Sequence, residues 1–181
     1  MIYAVGVMEF KSIATGIEAC DDALKASGVK LISAHPSCPG KYEIFITGSI
    51  SEVQTAVDHV KAKFESNMID STVMGRIDPS VIEALMGAQS TAERGALGVV
   101  ETYSGASIIK AADAAVKAAK VTIVDLRLSR GMGGKGVLMI TGEVGDVTAA
   151  VEAGSDYAVR QGLFTGKSIM AAPHKDVWEY L

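Results

Sequence analysis

Four short segments in the first half of the chain are rich in apolar and β-branched residues and are bounded by polar or turn-forming residues. Such segments predict β-strands, which we place at residues 2–9, 29–34, 42–47 and 71–76. Two longer stretches repeat their apolar residues every three or four positions, which predicts helices with one buried face. The resulting order is strand, helix, strand, strand, helix, strand, and a short helix that begins at Asp78-Pro79.

The spacing within the two long helices predicts which residues they bury and where the second one begins. The apolar stripe of the first helix consists of Ile13, Ile17, Cys20 and Leu24. The second helix begins with Ser51 and Gln54 at capping-box spacing. Together these elements predict an α+β fold of ferredoxin-like type, in which a sheet carries helices on one face.

The second half of the chain repeats the first half. The segment Ala4–Glu9 recurs as Ala96–Glu101, a displacement of 92 residues, and the displacement is 94 from Gly40 onward. The second copy therefore has two additional residues in or beside the turn between its second and third strands. The repeat predicts two homologous domains, which we place at residues 1–90 and 91–181.

Composition limits the classes of function. The chain has 181 residues and a net charge of −4, without a basic cluster, so we expect no nucleic-acid partner. No apolar run approaches the ~20 residues of a membrane helix, so we expect no membrane partner. The two cysteines exclude a disulfide scaffold and favour a reducing cytosol, so we expect a cytoplasmic location. Cys20 lies on the apolar stripe and has Ala112 as its counterpart, which predicts a structural thiol.

Cys38 lies on a turn that the sequence makes stiff. Pro36 and Pro39 restrict the backbone on both sides, and Gly40 allows the chain to reverse direction. The apolar runs before and after the turn predict that the thiol lies at its tip, between two strands. A single cysteine is more often a small buried residue than a metal ligand, and one thiol makes a poor metal site. Both interpretations of Cys38 therefore remain open at this point.

The corresponding turn of the second copy is rich in glycine. Its G-x-G-x-x-G pattern consists of Gly131, Gly133 and Gly136. This pattern leads into a predicted strand and not into the helix that a dinucleotide site requires, so we expect a slack loop. Met132 lies about opposite Cys38 in the alignment of the two copies, which makes a thioether ligand conceivable.

Three cationic or titratable residues lie beside the two turns. His35 precedes Cys38 by three positions, and His-x-x-Cys is a possible metal pair. On a strand, however, this odd separation tends to place side chains on opposite faces. We therefore expect His35 to face solvent or to form a hydrogen bond. Lys41 and Lys135 follow the glycines of both turns, either as groups that attract anions or as solvated lysines.

Several segments resemble the shell proteins of bacterial microcompartments in their tandem-domain form. The most specific segments are Ala96–Thr102, Ala111–Ala119, Thr141–Val147 and Pro173-His174. The turn Ser37–Lys41 resembles the iron–sulfur type known from propanediol utilisation, whose central turn carries a cluster. The resemblance implies two tandem BMC domains, a homotrimer that mimics a hexagonal tile, and turns that ring a central pore.

The implied cofactor is a [4Fe–4S] cluster shared by three subunits, each contributing Cys38, for electron transfer across the shell. A chain with two unequal domains forms a six-domain ring only as a closed trimer, so each Cys38 is one of three around an axis. Three thiolates can hold three corners of a cubane cluster, although four cysteines are usual. The implied pore-lining residues are Pro39, Gly40 and Lys41 in the first copy and Met132, Gly133, Gly134 and Lys135 in the second.

The resemblance also implies contacts with other shell proteins, edge to edge, and with an encapsulated redox enzyme. Lys25 and Lys117 match the family's edge lysine, and His174 belongs to an edge motif in which Ala172 replaces the expected arginine. No catalytic constellation is present in the sequence, so we do not expect an enzyme. Two alternatives remain: a shell tile with an open pore for small metabolites, and a soluble ferredoxin-like regulator that binds a ligand.

Overall fold

The computed structural model describes residues 4–88, 94–128 and 131–181. The chain divides into two compact units, and the division falls between Ile77 and Asp78. The domain boundary that the sequence predicts, between residues 90 and 91, lies outside the described residues and stays a prediction.

The first unit has the predicted order of elements. Strand β1 and helix α1 are followed by two adjacent strands, β2 and β3, then by helix α2 and strand β4. Their bounds are β1 Ala4–Phe10, α1 Ile13–Ala26, β2 Lys30–Ser37, β3 Lys41–Gly48, α2 Ile50–Phe64 and β4 Met68–Gly75. The four strands form one antiparallel sheet in the order β2-β3-β1-β4, with β1 and β3 in its centre.

The second unit repeats this order after one additional helix, α3. The bounds are α3 Pro79–Leu85, β5 Ala96–Thr102, α4 Gly105–Ala118, β6 Thr122–Leu128, β7 Gly136–Gly142, α5 Val144–Arg160, β8 Phe164–Met170 and α6 Lys175–Trp178. Its sheet has the equivalent order β6-β7-β5-β8. The two sheets and their helices confirm the predicted α+β class with two tandem domains.

Helix α3 closes the first repeat in sequence but packs within the second unit, against β6 and α4. It begins as predicted, because Asp78 caps it by accepting a hydrogen bond from the Ser80 N–H and Pro79 occupies the first turn. The Asp78 N–H donates in turn to the Asp113 carboxylate of α4 at 2.9 Å. The short helix therefore connects one repeat to the next.

Equivalent glycines bring each central strand close to its helix. A Cβ on Gly6 would lie 2.9 Å from side-chain atoms of Ile46 and Val53, and a Cβ on Gly98 would lie 2.6 Å from Val151. Such distances are shorter than real Cβ contacts, so only glycine permits this packing. The same close approach in both units confirms that they are copies of one fold.

Two details of the helices differ from the sequence predictions. The buried face of α1 consists of small residues, Gly16, Ala19, Cys20 and Ala23. Ile13, Ile17 and Leu24 are exposed, so the predicted burial of the apolar stripe was wrong except at Cys20. A Cβ on Gly16 would lie 2.5 Å from the Tyr42 ring, which shows that α1 lies too close to the sheet for large side chains.

The second helix also begins earlier than predicted. Ser49 forms the capping box with Glu52, whose carboxylate accepts a hydrogen bond from the Ser49 N–H at 2.8 Å. The pair Ser51 and Gln54 has the same spacing but lies inside the helix. The prediction was wrong because two overlapping pairs satisfy the same pattern and spacing alone does not separate them.

Candidate functional site

Cys38 lies on the three-residue turn between β2 and β3, which consists of Cys38, Pro39 and Gly40. Gly40 has a φ of 87°, and its N–H donates to the Ser37 carbonyl at 2.9 Å, which closes the turn. The peptide bond between Cys38 and Pro39 is cis. Cys38 is a partly exposed thiol outside any disulfide, as predicted for the tip of a turn.

Cys20 has a different environment. It lies on the buried face of α1, and burial together with the neighbouring Asp21 carboxylate raises the pKa of its thiol. Because the thiolate is the form that binds metals, a raised pKa makes Cys20 a weaker ligand. Its counterpart, Ala112, is completely buried, so the position is filled by a small side chain in both units.

The turn of the second unit lies between β6 and β7, and Ser129 and Arg130 of this turn are outside the described residues. Three glycines adopt positive φ, namely Gly131, Gly133 and Gly134. The Lys135 N–H donates to the Met132 carbonyl at 3.2 Å, and the chain then enters strand β7. The G-x-G-x-x-G pattern therefore precedes a strand, and its geometry is not that of a dinucleotide site.

Both lysines of the turns form ion pairs with the central strands. Lys41 Nζ lies 3.2 Å from Glu9 Oε2, and Lys135 Nζ lies 3.2 Å from Glu101 Oε2. Sequence reasoning noted that the two glutamates recur but did not pair them with the lysines. The lysines are thus neither simply solvated nor available as unpaired cations for anions.

His35 is buried, so the part of the prediction that placed it in solvent was wrong. Its ring packs against Phe45 at a centroid distance of 5.8 Å. The reason is that β2 continues to Ser37, which places His35 inside the sheet opposite Glu43. Sequence reasoning missed Glu43, although the alternation of β3 would have placed it on the same face as Phe45.

The predicted edge residues lie at the surface of their helices. Lys25 pairs with Asp21, and Lys117 pairs with Asp113, one turn earlier in each helix. His174 caps α6, because its Nδ1 accepts a hydrogen bond from the Asp176 N–H at 3.3 Å. Their contribution to a tile edge stays a prediction.

One chain does not assemble a metal site among its described residues, which contain no group of three or more histidine, cysteine, aspartate or glutamate side chains suited to a metal. The same ranges contain no helix long and apolar enough to cross a bilayer. A metal site that included Cys38 would therefore require ligands beyond the described residues of this chain.

Comparison with known proteins identifies the family. The BMC domain model matches residues 4–77 and 96–173. The bacterial microcompartment shell protein PduT of Citrobacter freundii is 38% identical over all of this chain and 98% of its own length. The carboxysome assembly protein CcmO of Synechococcus elongatus is 26% identical over 98% of this chain and 68% of its own length. A crystal structure of a microcompartment protein from Desulfitobacterium hafniense DCB covers 99% of both chains with a TM-score of 0.95 and 37% identity.

The chain therefore belongs to the BMC-domain family and carries two copies of the domain. It is a shell protein of a bacterial microcompartment, similar to PduT along its whole length.

Proposed function

We propose that this shell protein forms a closed homotrimeric tile whose axis holds a [4Fe–4S] cluster between three Cys38 thiolates. The observation that carries the proposal is the position of Cys38, partly exposed at the tip of a turn that Pro39 and Gly40 shape. The cluster would accept and donate single electrons, and we assign the tile to electron transfer across the shell, to a redox enzyme inside.

Unequal burial of equivalent residues supports the closed ring. Ile17 of α1 and Ile109 of α4 occupy the same position in the repeat, yet Ile17 is 54% exposed and Ile109 is 0% exposed. The apolar outer face of α1 is thus left open by the described residues of this chain. When both repeats carry an isoleucine at the same position and only one of the two is buried, we expect another copy of the chain to bury the exposed one.

The second unit has a complementary open surface on its sheet. On the face opposite the helices, Val137 and Met139 are only partly buried, whereas Phe45, the counterpart of Met139, is completely buried. An open helix face on one unit and an open sheet face on the other form a head-to-tail interface. Such an interface generates a ring when the rotation closes, and a ring of six domains requires three chains.

The donor set fits a cluster shared between subunits. Each chain offers one suitable thiol, because Cys20 is buried in the helix packing, and three chains offer three. Three thiolates hold three iron corners, and the fourth iron needs a ligand from elsewhere. Backbone N–H groups near the sulfurs would tune the reduction potential.

The remaining assignments follow from the family. We place the other turn residues, Pro39 to Lys41 and Met132 to Lys135, around the pore. Lys25, Lys117 and His174 are assigned to the tile edge, where other shell proteins bind. The similarity to PduT favours the propanediol-utilisation type of compartment. Family membership favours a structural shell role over catalysis and over the ligand-binding regulator.

Iron and sulfide analysis of anaerobically purified protein tests the cluster, together with an electron paramagnetic resonance spectrum. We expect a spectrum from the reduced protein, and we expect Cys38→Ser to lose both the iron and the signal. Cys20→Ala is the matched control, because the second unit carries alanine at that position, and it should retain the signal. Wild-type protein without iron would contradict the cluster and leave a tile with an open pore.

Mass measurement in solution tests the ring. Ile17→Glu places a charge on the exposed face of α1, so we expect a trimer to dissociate into monomers with an unchanged circular dichroism spectrum. Val144→Glu is the control, because Val144 and its counterpart Ile50 are both 48% exposed and thus belong to neither unequal surface. A wild-type chain that stays monomeric would contradict the ring. An Ile17→Glu variant that stays trimeric would show that the interface does not include the exposed face of α1.

A further inference from the structure

A row of titratable side chains crosses the first sheet close to the Cys38 turn. Glu9 of β1 is opposite Glu43 of β3 and opposite Asp70 of β4, and Glu43 is opposite His35 of β2. Residues directly opposite on neighbouring strands project from the same face, so these four side chains lie in one line. Lys41, the first residue of β3 after the turn, is two positions from Glu43 on the same face.

Glu9 is buried among charges of its own sign. Its side chain is 5% exposed, and Lys41 Nζ, 3.2 Å away, is its salt-bridge partner. Burial raises the pKa of Glu9, the Lys41 ammonium opposes this shift, and the Glu43 and Asp70 carboxylates add to it. Both burial and neighbouring carboxylates favour the neutral, protonated form of a carboxyl group.

The second unit keeps the ion pair but lacks the acidic row. Glu101, the counterpart of Glu9, is opposite Val137 and Gly166. Its side chain is 38% exposed, and its distance to Lys135 is 3.2 Å, the same as in the first unit. The ion pair therefore belongs to the shared fold, whereas the acidic neighbours and the burial belong only to the unit that carries Cys38.

We propose that Glu9 is a proton-binding group that links proton uptake to the negative charge held at the Cys38 turns. When Glu9 takes up a proton, the pair formed with Lys41 changes from neutral to a net charge of one positive unit. A positive charge near the turn stabilises additional negative charge there. The inference rests on the proposed function only for the identity of that negative charge, because the proton site consists of residues of this chain.

The charges balance in the coupled step. In the trimer loaded with the proposed cluster, a one-electron donor such as dithionite would deliver one electron to the cluster held by the Cys38 thiolates, and Glu9 would take one proton from solvent, so the local net charge would be unchanged. When the electron leaves, Glu9 returns the proton to solvent. His35, Lys41, Glu43 and Asp70 face Glu9 or its neighbours in the sheet and set the pH at which this occurs.

Carbon-13 NMR of protein labelled at the glutamate carboxyl groups tests the proton site without any cluster. We expect one carboxyl signal that titrates at higher pH than ordinary glutamates, is lost in Glu9→Gln and is retained in Glu101→Gln. Asp70→Asn removes an acidic neighbour and should move this titration to lower pH. A Glu9 signal that titrates in the ordinary glutamate range would overturn the proposal, whatever the protein binds.

A redox titration followed by electron paramagnetic resonance tests the coupling in the loaded trimer. In the pH range where Glu9 titrates, we expect the midpoint potential to rise as pH falls, approaching 59 mV for each tenfold change in proton concentration. Glu9→Gln should abolish this dependence, and Glu101→Gln should preserve it. A wild-type potential independent of pH would overturn the coupling. Protein without iron would instead count against the proposed cluster, and the carboxyl titration alone would then decide the proton site.

Discussion

The two units have the same fold but bury different surfaces. Phe45 and Met139 are register equivalents, since Phe45 is opposite Val7 and Met139 is opposite Val99, yet Phe45 is buried and Met139 only partly so. On the helices the same inequality separates Ile17 from Ile109. In a duplicated chain, a position covered in one copy and open in the other marks a surface that another chain can cover.

The turns between the second and third strands also differ between the two units. The first turn is short and proline-flanked and carries Cys38, whereas the second is longer and contains three glycines with positive φ. Six identical single domains would place six equivalent cysteines around an axis. Duplication followed by divergence gives three, the number of thiolates that a shared cluster uses in the proposed trimer. The comparison therefore explains why a tandem chain suits this site.

The largest expected effect on stability comes from the pair of equivalent residues Phe45 and Met139. Phe45→Ala removes a completely buried ring, so we expect the free energy of unfolding to fall by about 3–5 kcal/mol. Met139→Ala, at the equivalent and partly open position, should cost less and should weaken the trimer instead. Denaturant unfolding measures the first effect, and the concentration dependence of the trimer mass measures the second. Equal losses of stability would contradict the unequal burial.

The next effect concerns the two central glutamates and pH. Because the pKa of Glu9 is raised above the ordinary value of 4.5, the folded protein holds this proton more tightly than the unfolded chain. The stabilisation is complete below pH 4.5 and is lost as pH rises through the raised pKa, with a slope of at most about 1.4 kcal/mol per pH unit for one proton.

Unfolding experiments at several pH values test this sign. Glu9→Gln should flatten the fall in stability above pH 4.5, whereas Glu101→Gln should leave it unchanged. Stability of the wild type that rises through this pH range and responds to Glu9→Gln would show that Glu9 is held ionised by Lys41. The electrostatic difference between the two units would then be wrong.

The repeat made most of the fold predictable, because two copies of one pattern constrain the order of elements more than one copy does. The helix start at Asp78-Pro79 behaves as the sequence indicates. The first helix was misjudged because apolar spacing identifies an apolar face but not what covers it. Ile17 and its neighbours do form a stripe, on the side away from their own sheet.

The position of Cys38 on a turn was predictable from the sequence, whereas the residues around that turn were not. Proline, cysteine and glycine have local effects on a turn, so the sequence alone places the thiol at its tip. The ion pair of Lys41 with Glu9 and the placement of Glu43 opposite His35 depend on which strands become neighbours and in which register. That register is set by the folded sheet, so the burial of His35 and the acidic row became visible only in the structure.

The smallest expected effect on stability comes from the residues that begin the second long helix of each unit. Ser49 caps α2 with a capping box, whereas its counterpart Glu143 makes no side-chain cap hydrogen bond to α5. Ser49→Ala should therefore lower the free energy of unfolding by about 1 kcal/mol, and Glu143→Ala should have almost no effect.

The reciprocal substitution tests whether a serine side chain also stabilises the start of α5. Glu143→Ser introduces the missing hydroxyl acceptor at the start of α5 and should stabilise the protein by roughly 0.5–1 kcal/mol.

Hydrogen bonds from Ser49 lower the pKa of Glu52, so the loss of unfolding free energy in Ser49→Ala should shrink as pH falls through that lowered value. Denaturant unfolding near neutral pH and in acid measures both effects. If Ser49→Ala and Glu143→Ala cost the same, the two helix starts would be equivalent, and the difference between the units would be confined to their turns and open surfaces.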